Sequence, residues 1–491
     1  MMMMNNYQRK QTVLMFPWLG HGHISPFLEL AKKLNNTNLF NIHLCSTPAN
    51  LDSTKKTLKN DSDSSSIRLI ELHLPTLLDL PPHLHTTNGL PHHLMPTLKK
   101  AFDMSSFEFS NILKTLKPDL LIYDMIQFWA PVSAAALGIP SVVFITTSAT
   151  MAATMFHLYT YHSKGVSFPF PSIYFRADEC RHVHEILESS ANNKKDKDRV
   201  IGCVGNSSSI VLVKSFKEIE GKYANYLSFL TRKKIVPVGP LVADSCHAGS
   251  KHDSVMQWLD TKDTASTVFV SFGSEYFLSS ADLEEIAYGL EISNVNFIWV
   301  LRFPKCKRNI KLSEHLPPGF LERVKDRGLL VEGWAHQTKI LGHKNIGGFV
   351  SHCGWSSVME AMKFGVPIIA MPMQLDQPVN ARLVVEVGVG VEVVREENGC
   401  VSREKVAAVI KHVVVSNEGE VVREKTKKMS ICLKDKGKEE IDVVAVELLN
   451  LCQHANGYVN VAVDGVGRKR IPRAKSETFL MDMLCAQKAE V

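Results

Sequence analysis

Residues 346–367 read IGGFVSHCGWSSVMEAMKFGVP. An apolar strand ends at His352, a tight Cys353–Gly354 turn follows, and a helix opens near Ser356 and Ser357, ahead of a second apolar run, VPIIAMP (366–372). The first turn of a helix has N–H groups without intrahelical partners and carries the positive end of the dipole, which suits it to an anion. His352 and Ser357 stand where their side chains would add donors to a phosphate. A plainer account is at least as good from these residues alone: Ser356 or Ser357 caps the helix and His352 ends the strand.

The same alternation extends in both directions. TVFVSF (267–272), NFIWVL (296–301) and GLLVEG (328–333) read as further strands, and Leu283, Ile286, Ala287 and Leu290 mark one face of a helix. Before a polar, aperiodic stretch, ADSCHAGSKHDS (243–254), an earlier set has the same character: VLMF (13–16), IHLCST (42–47), DLLIYD (119–124) and SVVFIT (141–146). Phe27, Leu30, Ala31 and Leu34 lie on one helical face between the first two. Continuous apolar strands alternating with helices indicate parallel sheets covered on both faces. The chain therefore divides into an amino-terminal domain (1–242), a linker (243–255), a carboxy-terminal domain (256–452) and a basic, disordered tail (453–491). Ligands of such sheets sit outside the carboxyl ends of the strands, so the cleft between two halves is the expected place for a reaction.

Composition narrows the possibilities. The chain has 491 residues, of which 45% are hydrophobic and 22% charged, which fits a globular protein and not a disordered or fibrous one. A net charge of +6 over this length gives no reason to expect nucleic acid or a membrane as partner. The ten cysteines include no Cys-x-x-Cys pair, so a zinc ribbon, a thioredoxin-like centre and a disulfide scaffold are unsupported, and buried free thiols are expected. No signal peptide or membrane-spanning run is evident, and a cytoplasmic location is expected. The marks of P-loop hydrolysis, a serine-hydrolase elbow, HExxH proteolysis and a dinucleotide fingerprint are missing.

Two other strand-to-loop junctions carry polar groups. Gly273 and Ser274 follow an apolar strand, where a turn and a hydroxyl would meet a diphosphate, although a plain glycine turn explains them as well. In PWLGHGHISP (17–26), His21 and His23 lie on a loop at the carboxyl edge of the first sheet. A neutral His23 would serve as a general base, since an unperturbed imidazole titrates near ~6.5. Metal binding by His21 and His23 is the weaker rival, because no acidic or thiol ligand is adjacent in sequence. Asp124, at the end of DLLIYD on the same edge, would orient the imidazole, or would only cap the next helix.

The stretch from Trp334 to Gln377 resembles, over its full length of forty-four positions, the signature box of plant UDP-dependent small-molecule glycosyltransferases. The resemblance extends over about residues 11–452 and implies an α/β, GT-B architecture of two Rossmann-like domains facing a cleft. The nucleotide sugar would bind the carboxy-terminal domain and a small-molecule acceptor the amino-terminal one. The resemblance implies that Trp334 stacks on uracil, with Ala335 and Gln337 beside the nucleoside, and that Glu360 accepts from the ribose hydroxyls. His352, Gly354, Ser356 and Ser357 would hold phosphate, with Ser274 and Thr147 near the diphosphate. Trp355 would line the sugar pocket, and Asp376 and Gln377 would bind sugar hydroxyls, Gln377 resembling glucose-using members. His23 matches the catalytic base and Asp124 its partner. UDP-glucose is the expected co-substrate; no further cofactor and no metal is expected.

Two box positions depart from the pattern. His336 replaces a usual proline, whose fixed φ is lost, and Ser356 replaces a frequent asparagine. The segments HTTNGLP (85–91) and SFGSEYF (271–277) are similar to members that extend a sugar already on a natural product. The expected function is inverting glucosyl transfer to a sugar hydroxyl of a triterpenoid or flavonoid glycoside. Glucosylation of the aglycone itself, a non-catalytic UDP-sugar or glycoside binder, and a UDP-sugar epimerase are the alternatives. No motif in the loops around 75–100 and 157–200 names the acceptor, and the sequence is silent on oligomeric state.

Overall fold

The computed structural model describes residues 9–59, 66–161, 165–243, 254–274, 276–303 and 312–458. Most of the expected linker and all of the tail beyond Tyr458 lie outside the described residues. Strands β1 (Gln11–Phe16), β2 (Phe40–Ser46), β3 (Arg68–Glu71), β4 (Leu120–Tyr123) and β5 (Ser141–Ile145) come first. A short hairpin of β6 (Ser190–Ala191) and β7 (Lys194–Lys195) precedes β8 (Ile210–Val213) and β9 (Lys234–Pro237). The hairpin stands apart, and the other seven strands form a parallel sheet in the order β3-β2-β1-β4-β5-β8-β9. A second parallel sheet contains β10 (Thr267–Ser271), β11 (Asn296–Leu301), β12 (Gly328–Glu332), β13 (Ile346–Ser351), β14 (Ile368–Ala370) and β15 (Gly390–Glu392). Its order, β12-β11-β10-β13-β14-β15, is the doubly wound one, with the chain reversing direction between β10 and β13.

The apolar runs are continuous because each sheet is buried on both sides. Val13 and Met15 of β1 face one core cluster while Leu14 and Phe16 face another. Likewise Val268 and Val270 of β10 turn to one side and Phe269 to the other. Helices supply the covering faces. Phe27, Leu30, Ala31 and Leu34 of helix His21–Asn36 are fully buried against Val13 and Met15. Leu283, Ile286, Ala287 and Leu290 of helix Ser280–Ser293 are buried against β10, and its N-cap Ser279 accepts from the N–H of Asp282.

The last helix, Glu420–Tyr458, links the two sheets. Leu433 packs in the core that includes the second sheet, whereas Ile441, Val444, Ala445, Leu448 and Cys452 pack under the first sheet with Val13 and Phe27. It also runs to Tyr458, beyond the point at which the apolar period fades in the sequence. Charged contacts join the units along one flank. Arg176 donates to Glu392 at 2.7 Å, Arg382 to Glu179 at 2.7 Å, and Ser172 to Glu386 at 2.7 Å. The carboxyl ends of both sheets thereby border one crevice.

No helix among the described residues is long and apolar enough to cross a membrane. The seven described cysteines are all unpaired; Cys45, Cys203, Cys353 and Cys452 are buried as expected, but Cys180 and Cys400 are exposed.

The docking of the last helix on the first sheet has a direct test. Leu448 is fully buried there, so Leu448→Ala should destabilise the protein by about 2–5 kcal/mol. Urea unfolding followed by circular dichroism measures this, and an unchanged midpoint would mean the helix does not carry that core.

Candidate active site in the interdomain crevice

On the first-sheet side, β1 ends at Phe16 and the chain turns directly into helix His21–Asn36. His21 and His23 therefore lie in the first helical turn and not on a loop. They have different surroundings, which separates them as a metal pair: the His21 ring meets the edge of Trp334 at 5.7 Å, whereas His23 Nδ1 lies 2.8 Å from Asp124 Oδ2. Thr146 Oγ1 is 3.0 Å from the same nitrogen. Among the described residues no group of three or more His, Cys, Asp or Glu side chains is placed to hold a metal ion.

Asp124 follows β4 and is fully buried. Its Oδ2 also accepts from the Trp18 N–H at 3.1 Å, and its Oδ1 from the Met125 N–H at 2.7 Å. The carboxylate is thus fixed by backbone donors and holds the imidazole, while no helix begins directly after it for it to cap. A His whose Nδ1–H is given to a carboxylate has Nε2 as its basic nitrogen.

On the opposite side, the junction after β13 is tightly constrained. Cys353 has φ +63°, and Gly354 is the N-cap of helix Trp355–Phe364 with no side-chain hydrogen bond to the first turn. Neither serine caps the helix, so its N–H groups receive nothing from a capping side chain. His352 lies between two glycines: a Cβ on Gly273 or on Gly354 would approach His352 Nε2 to 2.5 Å. Burial lowers the His352 pKa to about 4, with only a backbone hydrogen bond at Ser271 opposing it, so the ring is neutral at physiological pH. His352 Nδ1 is buried without a hydrogen-bond partner among the described residues.

The side chains beyond this turn form one connected group. Gln337 Nε2 donates to Ser357 Oγ at 2.9 Å and to Glu360 Oε2 at 2.7 Å. Burial raises the Glu360 pKa, partly offset by that hydrogen bond and by the charge of Lys214. Ser356 Oγ accepts from Lys214 Nζ at 2.7 Å, across the two units. Trp334 is 59% exposed at the crevice, held between the His21 ring and the Arg302 guanidinium, 5.4 Å from its centroid. Arg302 also donates to the carbonyls of Gly333 (2.9 Å) and Ser274 (3.0 Å), tying together the loops after β10 and β12. Ala335 is half-buried and lines a small cavity with Trp334 and His336. His336 has φ −75°, within the range that proline would impose, so the backbone here is one that either residue can adopt.

Thr147 and Asp376 meet across the crevice. Thr147 Oγ1 donates to Asp376 Oδ2 at 2.6 Å, and Asn380 Nδ2 donates to the same oxygen at 3.0 Å. Two residues expected at the sugar also make contacts within the protein. Trp355 is 3% exposed, and its indole N–H donates to the Lys214 carbonyl at 2.5 Å, which makes it part of the packing between the units. Gln377 is 5% exposed, and its Oε1 accepts from the N–H groups of Met373 and Gln374, bracing its own loop. Lys214, Arg302, Thr146 and Asn380 were not singled out by the sequence. Lys214, Arg302 and Thr146 have partners remote in the chain and stand just beyond strands, whereas Asn380 lies three positions past the box, in helix Gln377–Val387.

Comparison with known proteins agrees with this geometry. Residues 10–243 match the family described as "Glycosyltransferase, N-terminal domain", and residues 229–453 match "UDP-glucoronosyl and UDP-glucosyl transferase". "UDP-glucosyltransferase 29" of Panax ginseng is 51% identical over 92% of this chain and 99% of its own. "Beta-D-glucosyl crocetin beta-1,6-glucosyltransferase" of Gardenia jasminoides is 49% identical over 89% of this chain and 98% of its own. The crystal structure of Glycyrrhiza uralensis UGT73P12 complexed with glycyrrhetinic acid 3-O-monoglucuronide superposes with a TM-score of 0.79 at 25% identity, covering 93% of this chain and 99% of that one. Two doubly wound sheets facing one crevice, with an uncapped helix on one side and a His–Asp pair on the other, thus belong to a GT-B enzyme, and the chain is a member of the UDP-dependent glycosyltransferase family.

Proposed function

We propose that the enzyme transfers glucose from UDP-glucose, with inversion, to a sugar hydroxyl of a glycosylated natural product, a triterpenoid or flavonoid glycoside. The observation that carries the mechanism is the 2.8 Å contact of His23 with a fully buried carboxylate, at the crevice edge that faces the helix N-terminus. His23 Nε2 takes the proton of the acceptor hydroxyl as that oxygen bonds to the anomeric carbon. The bond from that carbon to the diphosphate oxygen breaks, and UDP leaves with the electron pair. Asp124 stabilises the imidazolium that forms.

The charge that grows on UDP is met by the N-terminus of helix Trp355–Phe364, by Ser274, Ser357 and the neutral His352. Trp334 offers an exposed ring to the uracil, and Glu360 its carboxylate to the ribose. Asp376 would meet the hexose hydroxyls, and its bond to Thr147 across the crevice supports a nucleotide sugar held between the units. The glycoside class of the acceptor is supported by the likeness to the crocetin-glucoside enzyme and by the segments at 85–91 and 271–277. The seven cysteines among the described residues are unpaired, which supports a reducing compartment, and the cytosol is the location we propose.

His23→Ala should lower turnover by roughly 10²–10⁴-fold while UDP binding stays close to wild type. Asp124→Asn should retain more activity than His23→Ala but far less than the native enzyme. Product formation measured by mass spectrometry, with calorimetry for UDP, checks both; native turnover in His23→Ala would remove His23 as the base. A panel of aglycones and their monoglucosides, each with UDP-glucose, tests the acceptor. Transfer only to the pre-glycosylated compounds is expected, and transfer only to aglycones would contradict it. UDP-glucose incubated alone should remain unchanged, whereas conversion to another UDP-hexose would identify an epimerase.

A further inference from the structure

Lys214 follows β8 in the first unit and is only 2% exposed, yet its ammonium is directed into the second unit. Its hydrogen-bond acceptor is a neutral hydroxyl, Ser356 Oγ at 2.7 Å, and no carboxylate of the described residues forms an ion pair with it. The nearest acidic influences are Glu360 and Glu29. Each is engaged elsewhere: Glu360 accepts from Gln337, and Glu29 pairs with Lys32 at 2.9 Å. A buried cation without a close counter-charge is costly. Here it is also set against the positive end of a helix, because Ser356 is the second residue of helix Trp355–Phe364, whose N-cap gives it no side-chain acceptor. The Lys214 carbonyl accepts the Trp355 indole N–H, which fixes its backbone to the same turn. Two positive features therefore converge on one point, and the anion that the proposed reaction delivers there is a diphosphate.

We propose that Lys214 is a donor-site residue supplied by the acceptor-side unit, its ammonium acting with Ser356 to bind the diphosphate of the nucleotide sugar and its departing UDP. Ser356 accepts from the ammonium and so directs its own hydrogen onward. The ammonium and the hydroxyl together supply the donors that a carboxamide would offer at that position. Because Lys214 lies in one unit and the helix in the other, bound diphosphate bridges them.

The inference rests on the donor-site reading above, and uridine separates the two. Uridine shares the base and ribose with UDP but lacks the phosphates. Titration calorimetry of UDP and of uridine is to be run on the wild type, Lys214→Met and Lys214→Arg, at pH 7 and pH 9. Loss of one charge-assisted contact corresponds to about tenfold in affinity. Lys214→Met should lose about tenfold or more for UDP at pH 7 and keep its uridine affinity.

Burial lowers the Lys214 pKa to about 8, against the opposing pull of Glu360 and Glu29, so the free protein sheds this charge between the two pH values. Uracil begins to ionise toward pH 9 in both ligands, so wild-type affinity should fall from pH 7 to pH 9 more steeply for UDP than for uridine. His352, already neutral, and Glu360 and Glu29 are common to all three proteins, so in Lys214→Arg the UDP affinity should change with pH no more than the uridine affinity does. Equal losses of UDP and uridine in Lys214→Met, or native UDP affinity, would overturn the proposal. If Lys214→Met does not fold, the contrast between wild type and Lys214→Arg decides, and equal pH slopes would overturn it. A wild type that binds neither ligand would instead overturn the donor-site reading.

Discussion

The uncapped first turn of helix Trp355–Phe364 is the constraint from which the rest of the site follows. Its N–H groups gain no partner from a capping side chain, and the surrounding sequence is shaped to keep them accessible. Cys353 takes a left-handed backbone so that the strand can turn sharply, and Gly354 closes the turn without a side chain. His352 fits only because Gly273 and Gly354 lack a Cβ. Gly273 itself has φ +78°, so two strand ends approach one imidazole through backbone that a larger residue would not adopt. A site of this kind attracts an anion by dipole and hydrogen bonds, with His352 held neutral by burial.

The second requirement is that another surface face this turn. The first sheet provides it, since its strands are parallel and the loops after β1, β4 and β5 emerge on one edge. His23, Asp124, Thr146 and Thr147 all come from those loops or the helix that follows. The units meet through groups that are polar and directional. Thr147 reaches Asp376, Ser148 reaches Asn380, and the Arg176, Arg382, Glu179 and Glu392 network joins the flank. Exposed ion pairs contribute little individually, but this network is largely buried, and its directional bonds help set how the two units meet. Thr147 and Asp376, proposed for the nucleotide sugar, are thereby held by the opposite unit.

Much of this was legible in the sequence where the signal is local. The buried face of helix His21–Asn36 follows from the spacing of Phe27, Leu30, Ala31 and Leu34, and the strands follow from unbroken apolar runs. His23 and Asp124 were placed together because two parallel strands of one sheet must present their ends on the same edge, and β1 does pair with β4. What the sequence did not show depends on contacts between distant segments. A lysine just after a strand reads as solvated, and nothing near Lys214 announces a serine 142 positions later. Arg302 bonds to carbonyls, which leave no trace in a side-chain pattern. The Trp355 indole meets the Lys214 carbonyl 141 positions away, a contact decided by the meeting of the units that no local pattern announces. The last helix crosses back to the first sheet for the same reason, since its apolar spacing does not state which sheet it covers.

The most direct test of the whole account is a crystal structure of the enzyme with UDP and a glycosylated acceptor. The diphosphate should lie against the N-terminus of helix Trp355–Phe364, the uracil against Trp334, and an acceptor sugar hydroxyl within hydrogen-bonding distance of His23 Nε2. Uridine density away from residues 334–377, or an acceptor whose hydroxyls all point away from His23, would contradict it.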